Sequence, residues 1–375
     1  MTSELRIGIL GAGGFAAFAA NAFSEISGVA IHSVFDVYRP AAERLAAGLH
    51  AAVPENIDAF LADSRLDLVY IATPPFLHYE QSRLALLAGK HVICEKPAAL
   101  RTAEAEELRS ISRANRLLWV VNLMQRYNPL YATVKQITDN QLMGAFLHGF
   151  FENYASDENL AASHWFWDAV KSGGIFIEHG VHFFDMFAGW LGEGRLASSL
   201  QLRRPGISSG IIDRVHAVVV YKDSPVQFYH GFDQPALLDR QECRLLFERG
   251  DIRLDGWVPV RLTAHGLLGN NELRVLRDLL PGASVHATVA KSSGHKPRGR
   301  FKDIDYDEEV TIEYGNIGDK QPRYRDILKR MLRDQWHWIN DRDHSRLITE
   351  NNAVDSLRMA EQATQAAQTF PPCQS

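Results

Sequence analysis

The most constraining feature of the chain is its start. Leu5-Arg6-Ile7-Gly8-Ile9-Leu10 reads as a short buried strand and runs directly into Gly11-Ala12-Gly13-Gly14-Phe15-Ala16, a G-x-G-x-x-A turn. Helical sequence follows from Ala17 to Ile26, then a second strand from Ala30 to Phe35 that ends at Asp36. Glycines at these positions allow a tight turn and let the backbone approach a pyrophosphate, which a helix N-terminus stabilises through its free N–H groups and its dipole. An acid about 20 residues past the turn, at the tip of the second strand, accepts a hydrogen bond from a ribose 2′-hydroxyl. Strand, glycine turn, helix, strand and terminal acid in this order predict a dinucleotide site at Gly11, Gly13, Gly14, Phe15, Ala16 and Asp36. The plainer alternative is a tight βα turn that holds no ligand. Asp36 points to NAD. Arg39, three residues on, keeps NADP as the alternative.

The β/α alternation continues. A third strand, Leu66 to Ala72, ends in Thr73-Pro74-Pro75-Phe76-Leu77-His78, and a helix from His78 to Ala88 is closed by Gly89. A fourth, His91 to Cys94, ends in Glu95-Lys96-Pro97, and Leu117 to Asn122 reads as a fifth. In an open parallel sheet ligands sit beyond the carboxyl ends of the strands. Thr73, Pro74, Glu95 and Lys96 are therefore expected to border the cofactor. The domain is expected to span residues 1–122.

A second informative stretch is Gly173 to Gly192. Read as an α-helix, it places Glu178, His182 and Asp185 at i, i+4 and i+7, on one face of an otherwise apolar segment. A carboxylate one turn from a histidine suits proton transfer, because it fixes the imidazole tautomer and raises its basicity. A solvated stripe or a satisfied buried histidine would have the same pattern. His179, His182 and Asp185 are spaced by three, which drifts around a helix and does not match a metal-ligand motif, so no metal is expected.

These motifs together are similar to the Gfo/Idh/MocA (glucose–fructose oxidoreductase/inositol dehydrogenase) family: the glycine turn, Ala-Thr-Pro-Pro with His78, Gly-Lys-His-Val-Ile-Cys-Glu-Lys-Pro at 89–97, and Gly-Gly…Glu-x-Gly-x-His-x-x-Asp at 173–185. The resemblance runs to about residue 192. It implies a Rossmann domain followed by a substrate domain, and it adds His78 to the cofactor site. It implies hydride transfer with Lys96 as the cation at the developing alkoxide, His182 as general base and Glu178 as its partner. Arg126 and Tyr127 become candidates for the substrate cleft, with ordinary domain-joining residues as the alternative; Asp185 on the helix stripe is a further candidate, or purely structural. The chain departs from the family in one place: Glu178 stands where the family has Asp, one methylene longer.

From Ala145 the pattern changes. Ala145–Tyr154, Leu196–Arg203, Val215–Lys222, Val226–Phe232, Arg244–Phe247 and Ile252–Leu254 read as strands, with helices near 175–191 and 271–280 and at the end, Tyr324–Arg342 and Glu350–Thr369. The expected fold is α/β: an N-terminal Rossmann domain plus a C-terminal α/β domain, residues 123–375, with a large, mostly antiparallel, open-faced sheet. Its uncovered face predicts a homo-oligomer, a dimer or tetramer. In His164-Trp165-Phe166-Trp167-Asp168, Trp167 is a candidate platform for a sugar ring, or a core residue. The basic segment Gly294–Arg300 is expected to be a solvated turn.

Composition narrows the function classes. A formal net charge of −5 gives no sign of a nucleic-acid or anionic-membrane partner, and no apolar run approaches the roughly 20 residues of a membrane span. Three scattered cysteines and a start without a signal-peptide pattern lead to the expectation of a cytoplasmic protein. The leading expectation is an NAD(P)-dependent oxidoreductase acting on a secondary alcohol or ketone of a sugar, cyclitol or related polyhydroxy compound. A redox-neutral NAD-dependent glycoside hydrolase and an inactive NAD(P)-binding sensor are the alternatives.

Overall fold

The structure is a computed structural model; it describes residues 4–204, 210–290, 297–316, 318 and 320–370. The chain begins β1 (Leu5–Leu10), α1 (Gly14–Ser24), β2 (Val29–Phe35), α2 (Arg39–Leu49), α3 (Ile57–Ala62), β3 (Leu68–Ile71), α4 (His78–Leu87), β4 (His91–Cys94), α5 (Thr102–Ala114) and β5 (Trp119–Val121). After α6 (Pro129–Asp139), β6 (Phe146–Ser156) and α7 (Ala169–Ser172) comes α8 (Val181–Leu191). Then follow β7 (Gly194–Arg203), β8 (Ile212–Tyr221), β9 (Ser224–Gln234), β10 (Arg240–Phe247), β11 (Gly250–Asp255) and β12 (Arg261–Leu268). The remainder is α9 (Asn270–Leu279), β13 (Ser284–Ala290), the short pair β14 (Arg298–Gly299) and β15 (Lys302–Asp303), β16 (Glu308–Gly315), α10 (Lys320–Asn340), α11 (Glu350–Gln365) and β17 (Gln368–Phe370).

The chain forms two compact units. The first comprises Met1–Tyr127, Ala162–Asp185 and Tyr324–Gln365, and it is built on a parallel sheet of order β2-β1-β3-β4-β5. Strands of such a sheet are covered on both faces and need continuous apolar sequence. Accordingly Ile7, Ile9 and all of Leu68–Ile71 are completely buried. On α1 the buried positions are Ala16, Ala19, Ala20 and Ala22, whose small side chains let the helix lie close to the sheet, together with Phe23. The segment carrying Glu178, His182 and Asp185 belongs to this same unit, as do most of α10 and all of α11.

The second unit holds a ten-stranded sheet of order β13-β16-β12-β11-β10-β6-β9-β8-β7-β17. Its pairs are antiparallel except β6–β9 and β7–β17. One face is buried and the other is not. On β8 the residues Asp213, Val215, Ala217, Val219 and Tyr221 are buried, and Arg214, His216, Val218 and Val220 between them are half-exposed.

Two local expectations change. The final helix stops at Gln365, and Gln368–Phe370 pair in parallel with β7. Thr369 and Phe370 favour extended backbone, and the prolines at 371 and 372 disfavour helix just before them. Of the expected basic turn, residues 294–296 lie outside the described residues, and Arg298–Gly299 pairs with Lys302–Asp303 as a hairpin.

Candidate active site

The glycine turn lies at the carboxyl edge of the parallel sheet. Gly11 has φ +97°, and a Cβ there would lie 2.7 Å from the Ala72 carbonyl oxygen, so only glycine lets the β1 and β3 ends approach this closely. Gly13 is the N-cap of α1 and makes no side-chain cap, and a Cβ built on Gly13 or Gly14 would meet nothing within 4 Å. The start of α1 thus has room beside it and no side-chain cap, which suits a diphosphate at the helix N-terminus. Asp36 is joined to the turn directly. Its Oδ2 accepts from the Ala12 N–H at 2.7 Å and its Oδ1 from the Tyr38 N–H at 2.8 Å. Arg39 is drawn away into an ion pair with Glu43 at 2.8 Å. These residues fit a nicotinamide dinucleotide and would hold its diphosphate and adenosine ribose.

The other strand ends form a connected frame. His78 is 1% exposed, and its Nδ1 and Nε2 each lie 2.7 Å from a backbone carbonyl, Pro97 and Thr73 respectively. It ties the two turns together from behind, and burial pushes its pKa down. Thr73 Oγ1 donates to Gln81 Oε1 at 2.6 Å, beside Pro74. Glu95 Oε1 accepts from the Tyr70 hydroxyl and from Asn122 Nδ2. The next peptide, Lys96–Pro97, is cis.

The segment read as one α-helix is not one. Residues Phe176–Gly180 form a π-helical turn, and α8 begins at Val181. A π turn carries an extra residue and changes the facing of what precedes it, and such turns recur at functional sites. Its consequence is visible at Glu178. The carboxylate pairs with Lys96 rather than turning to His182, and Lys96 Nζ also donates to the Glu178 carbonyl oxygen at 2.8 Å. One residue thus holds the ammonium through both its main chain and its side chain, and the extra methylene relative to Asp supplies the reach. His182, 4% exposed, lies close enough to feel this cation: burial first, and the Lys96 charge second, hold its pKa well below the ordinary histidine value. The imidazole is therefore neutral at neutral pH and able to accept a proton.

The remaining candidates fall into internal networks. Arg126 donates to Asp185 through Nε and Nη2, at 2.7 and 2.8 Å, and to the Asp185 carbonyl at 3.0 Å, with Asn352 Nδ2 at 3.3 Å from the same carboxylate. Burial pushes the Asp185 carboxyl pKa up, against the pull of Arg126 and Asn352. The Tyr127 hydroxyl donates to Asp334 Oδ2 at 2.5 Å and accepts from Gln335 Nε2 at 2.9 Å. Arg126, Tyr127 and Asp185 thus join the 124–127 turn and α8 to α10 and α11. Trp167 is half-buried, edge-on to Phe166 with ring centres 4.7 Å apart. Sequence reading missed Tyr70, Asn122, Asp334, Gln335 and Asn352, which no local motif marks.

Residues 5–123 match the family described as "Oxidoreductase family, NAD-binding Rossmann fold" (GFO_IDH_MocA). Among curated proteins the chain is 29% identical over 185 residues to glucose-6-phosphate 3-dehydrogenase of Bacillus subtilis, covering 48% of this chain and 52% of that protein. It is 32% identical over 133 residues to UDP-N-acetylglucosamine 3-dehydrogenase of Acidithiobacillus ferrooxidans, covering 36% and 41%. For several curated relatives the matched stretch spans only about a third of their length. Among solved structures, a 3-ketoreductase from Actinomadura kijaniata in complex with NADP and TDP-benzene superposes with a TM-score of 0.76 at 16% identity, over 98% of this chain and 99% of that one. A putative myo-inositol dehydrogenase from Sinorhizobium meliloti gives 0.70 at 18%, over 96% and 97%. At such identities these two show the fold. With this match and the motifs in order, residues 5–123 are an NAD-binding Rossmann domain of the Gfo/Idh/MocA oxidoreductase family.

Proposed function

We propose that the protein is an NAD(P)-dependent oxidoreductase that interconverts a secondary alcohol and a ketone on a sugar, cyclitol or related polyhydroxy compound. The observation that carries this reading is the Lys96 ammonium held at the strand ends by Glu178, with the buried His182 within its field. When bound, the nicotinamide accepts or supplies the hydride. Lys96 stabilises negative charge at the carbinol oxygen, where a desolvated cation is most effective. His182, neutral at rest, takes the hydroxyl proton. Glu178 keeps the ammonium aimed. Asp36 favours NAD, because its fixed carboxylate bonds a 2′-hydroxyl and repels a 2′-phosphate. The relatives named as 3-dehydrogenases of glucose 6-phosphate and UDP-N-acetylglucosamine support the polyhydroxy substrate class.

The intact Lys96–Glu178–His182 group favours an enzyme over an inactive sensor. A panel of sugars, sugar phosphates, nucleotide sugars and inositols, read by NADH fluorescence, tests the reading. Binding of cofactor with no turnover on the whole panel would favour the sensor, and release of free sugar without net NADH would favour the glycoside hydrolase. We also propose a homo-oligomer formed on the half-exposed face of the ten-stranded sheet; a monomeric mass by light scattering at micromolar concentration would refute it. A cytoplasmic setting agrees with Cys94 and Cys243, both buried and unbridged. No described helix is long and apolar enough to cross a membrane.

A further inference from the structure

α8 starts at Val181, directly after the π turn, so its rotation about its own axis is not inherited from a regular helix upstream. That rotation decides where His182, in its first turn, aims its imidazole, since each residue advances a helix by about 100°. Val181, Phe183, Phe184, Met186 and Phe187 are buried and hold the helix in place. Apolar burial is strong but non-directional, and on a helix apolar on most sides it specifies rotation weakly.

A directional contact sits one turn beyond His182. Arg126 Nε donates to Asp185 Oδ2 at 2.7 Å and Nη2 to Oδ1 at 2.8 Å, and Nη2 also donates to the Asp185 carbonyl oxygen at 3.0 Å. One guanidinium thus grips both the side chain and the main chain of α8, in a planar fork that an ammonium cannot reproduce. Asn352, in the first turn of α11, reaches Oδ1 at 3.3 Å, and its own amide oxygen is fixed by the Thr349 N–H at 2.8 Å. The base of the clamp is pinned as well: Tyr127, the next residue, donates to Asp334 of α10, which also accepts from the Leu347 N–H at 2.9 Å. The Asp185 and Arg126 side chains are 3% and 16% exposed. A buried pair of this kind adds little net stability over apolar side chains of similar size. Its geometry specifies orientation.

Several charged and titratable groups are gathered with His182. They are Lys96 after β4, with which His78 and Glu178 interact; Glu178 and His179 in the π turn; Asp185 with Arg126; and Asp355 of α11, whose charge acts on Asp185. After burial itself, the Lys96 charge acts on the imidazole.

We propose that Arg126 and Asn352 are positioning residues: through Asp185 they fix the rotation of α8 and so hold the His182 imidazole in place beside the Lys96–Glu178 pair. Arg126 and Asp185 are thereby assigned to aiming the base rather than to holding substrate. The proposal rests on the oxidoreductase reading above, in which His182 takes the hydroxyl proton.

The test is Arg126→Lys, which keeps the charge opposite Asp185 and loses the fork. Asn352→Ala, which leaves the ion pair intact, carries the test if Arg126→Lys does not fold. A small misplacement of a reacting group is costly, so kcat should fall about 10–100-fold in Arg126→Lys and about 2–5-fold in Asn352→Ala. KM and NADH affinity should stay within about twofold of wild type. A misaimed imidazole loses part of its burial and of the Lys96 field, so its pKa rises and its function as a base is lost at higher pH. In Arg126→Lys, kcat/KM should therefore be about 2–5-fold lower at pH 6 than at pH 8, against a nearly flat wild type. Histidine ring NMR reads the same change without a substrate. The His182 resonance, assigned by its loss in His182→Ala, should stay neutral to pH 6 in the wild type and begin to protonate there in the variant. Variants that lose only stability in denaturant unfolding, keeping the wild-type kcat and His182 titration, would overturn the proposal. So would a loss of kcat matched by a loss of NADH affinity. A wild type silent on the whole substrate panel would overturn the oxidoreductase reading, and the His182 titration would still decide the clamp.

Discussion

Replacing Glu178 by Gln is the sharpest probe of the candidate site. The change keeps the length of the side chain and removes only its charge. Lys96 Nζ would retain the Glu178 carbonyl at 2.8 Å and would exchange a carboxylate for an amide oxygen. The two side chains are 18% and 11% exposed, so solvent screens the pair little. Two unit charges at about 4 Å attract by about 4 kcal/mol at an effective dielectric constant of about 20. Desolvation of the acid offsets part of that. A net of about 1.5–3 kcal/mol remains, the usual size of a charge-assisted hydrogen bond. Expressed in the transition state, this is about a 10–100-fold loss of turnover. Glu178→Asp keeps the charge but retracts it by one methylene, so it should fall between wild type and Gln, even though Asp is the family's residue here. The assay is kcat on a substrate from the panel, with NADH affinity measured in parallel and expected to change little. A Gln variant within twofold of the wild-type kcat would refute the claim that this pair aims the ammonium.

Other expectations follow from the same geometry. His182→Ala should lower turnover by about 10²–10⁴-fold with cofactor binding retained, the usual size of base catalysis; a wild-type rate would remove His182 from the mechanism. Because burial and Lys96 depress the His182 pKa, proton acceptance should persist as pH falls, and the acid limb of kcat/KM for alcohol oxidation should lie below pH 6.5. A limb above that value would contradict the buried, neutral imidazole. Asp36→Ala should narrow the gap between NAD and NADP affinities, and equal binding of the two by the wild type would show that Asp36 does not select. Gly28 has φ +83°, and a Cβ there would lie 2.9 Å from the Trp336 ring, so Gly28→Ala should cost about 1–3 kcal/mol in denaturant unfolding.

Much of the fold was legible because its signals are local. The glycine turn, the apolar strands and Asp36 at a strand tip each rest on neighbours in sequence, and the N-terminus of α1 and the position of Asp36 just past β2 come out where those patterns place them. In the sequence the alternation Val226, Phe228, His230, Phe232 marks one face of β9, which is buried at the first three positions and only half-buried at Phe232. The helical periodicity of 173–192 was less reliable. Periodicity assumes about 3.6 residues per turn throughout, and one π turn between Phe176 and Gly180 suffices to break the face that Glu178 was expected to share with His182.

The sequence by itself marked the β/α alternation of the first domain, the glycine turn and the identities of Lys96, Glu178 and His182. Only tertiary structure decided their partners. Glu178 pairs with Lys96 across 82 positions, Arg126 closes on Asp185 across 59, and Tyr127 finds Asp334 across 207. A buried charge or hydroxyl must find a partner, but which partner it finds depends on how distant strands and helices pack, and no pattern within a window of the chain encodes that choice.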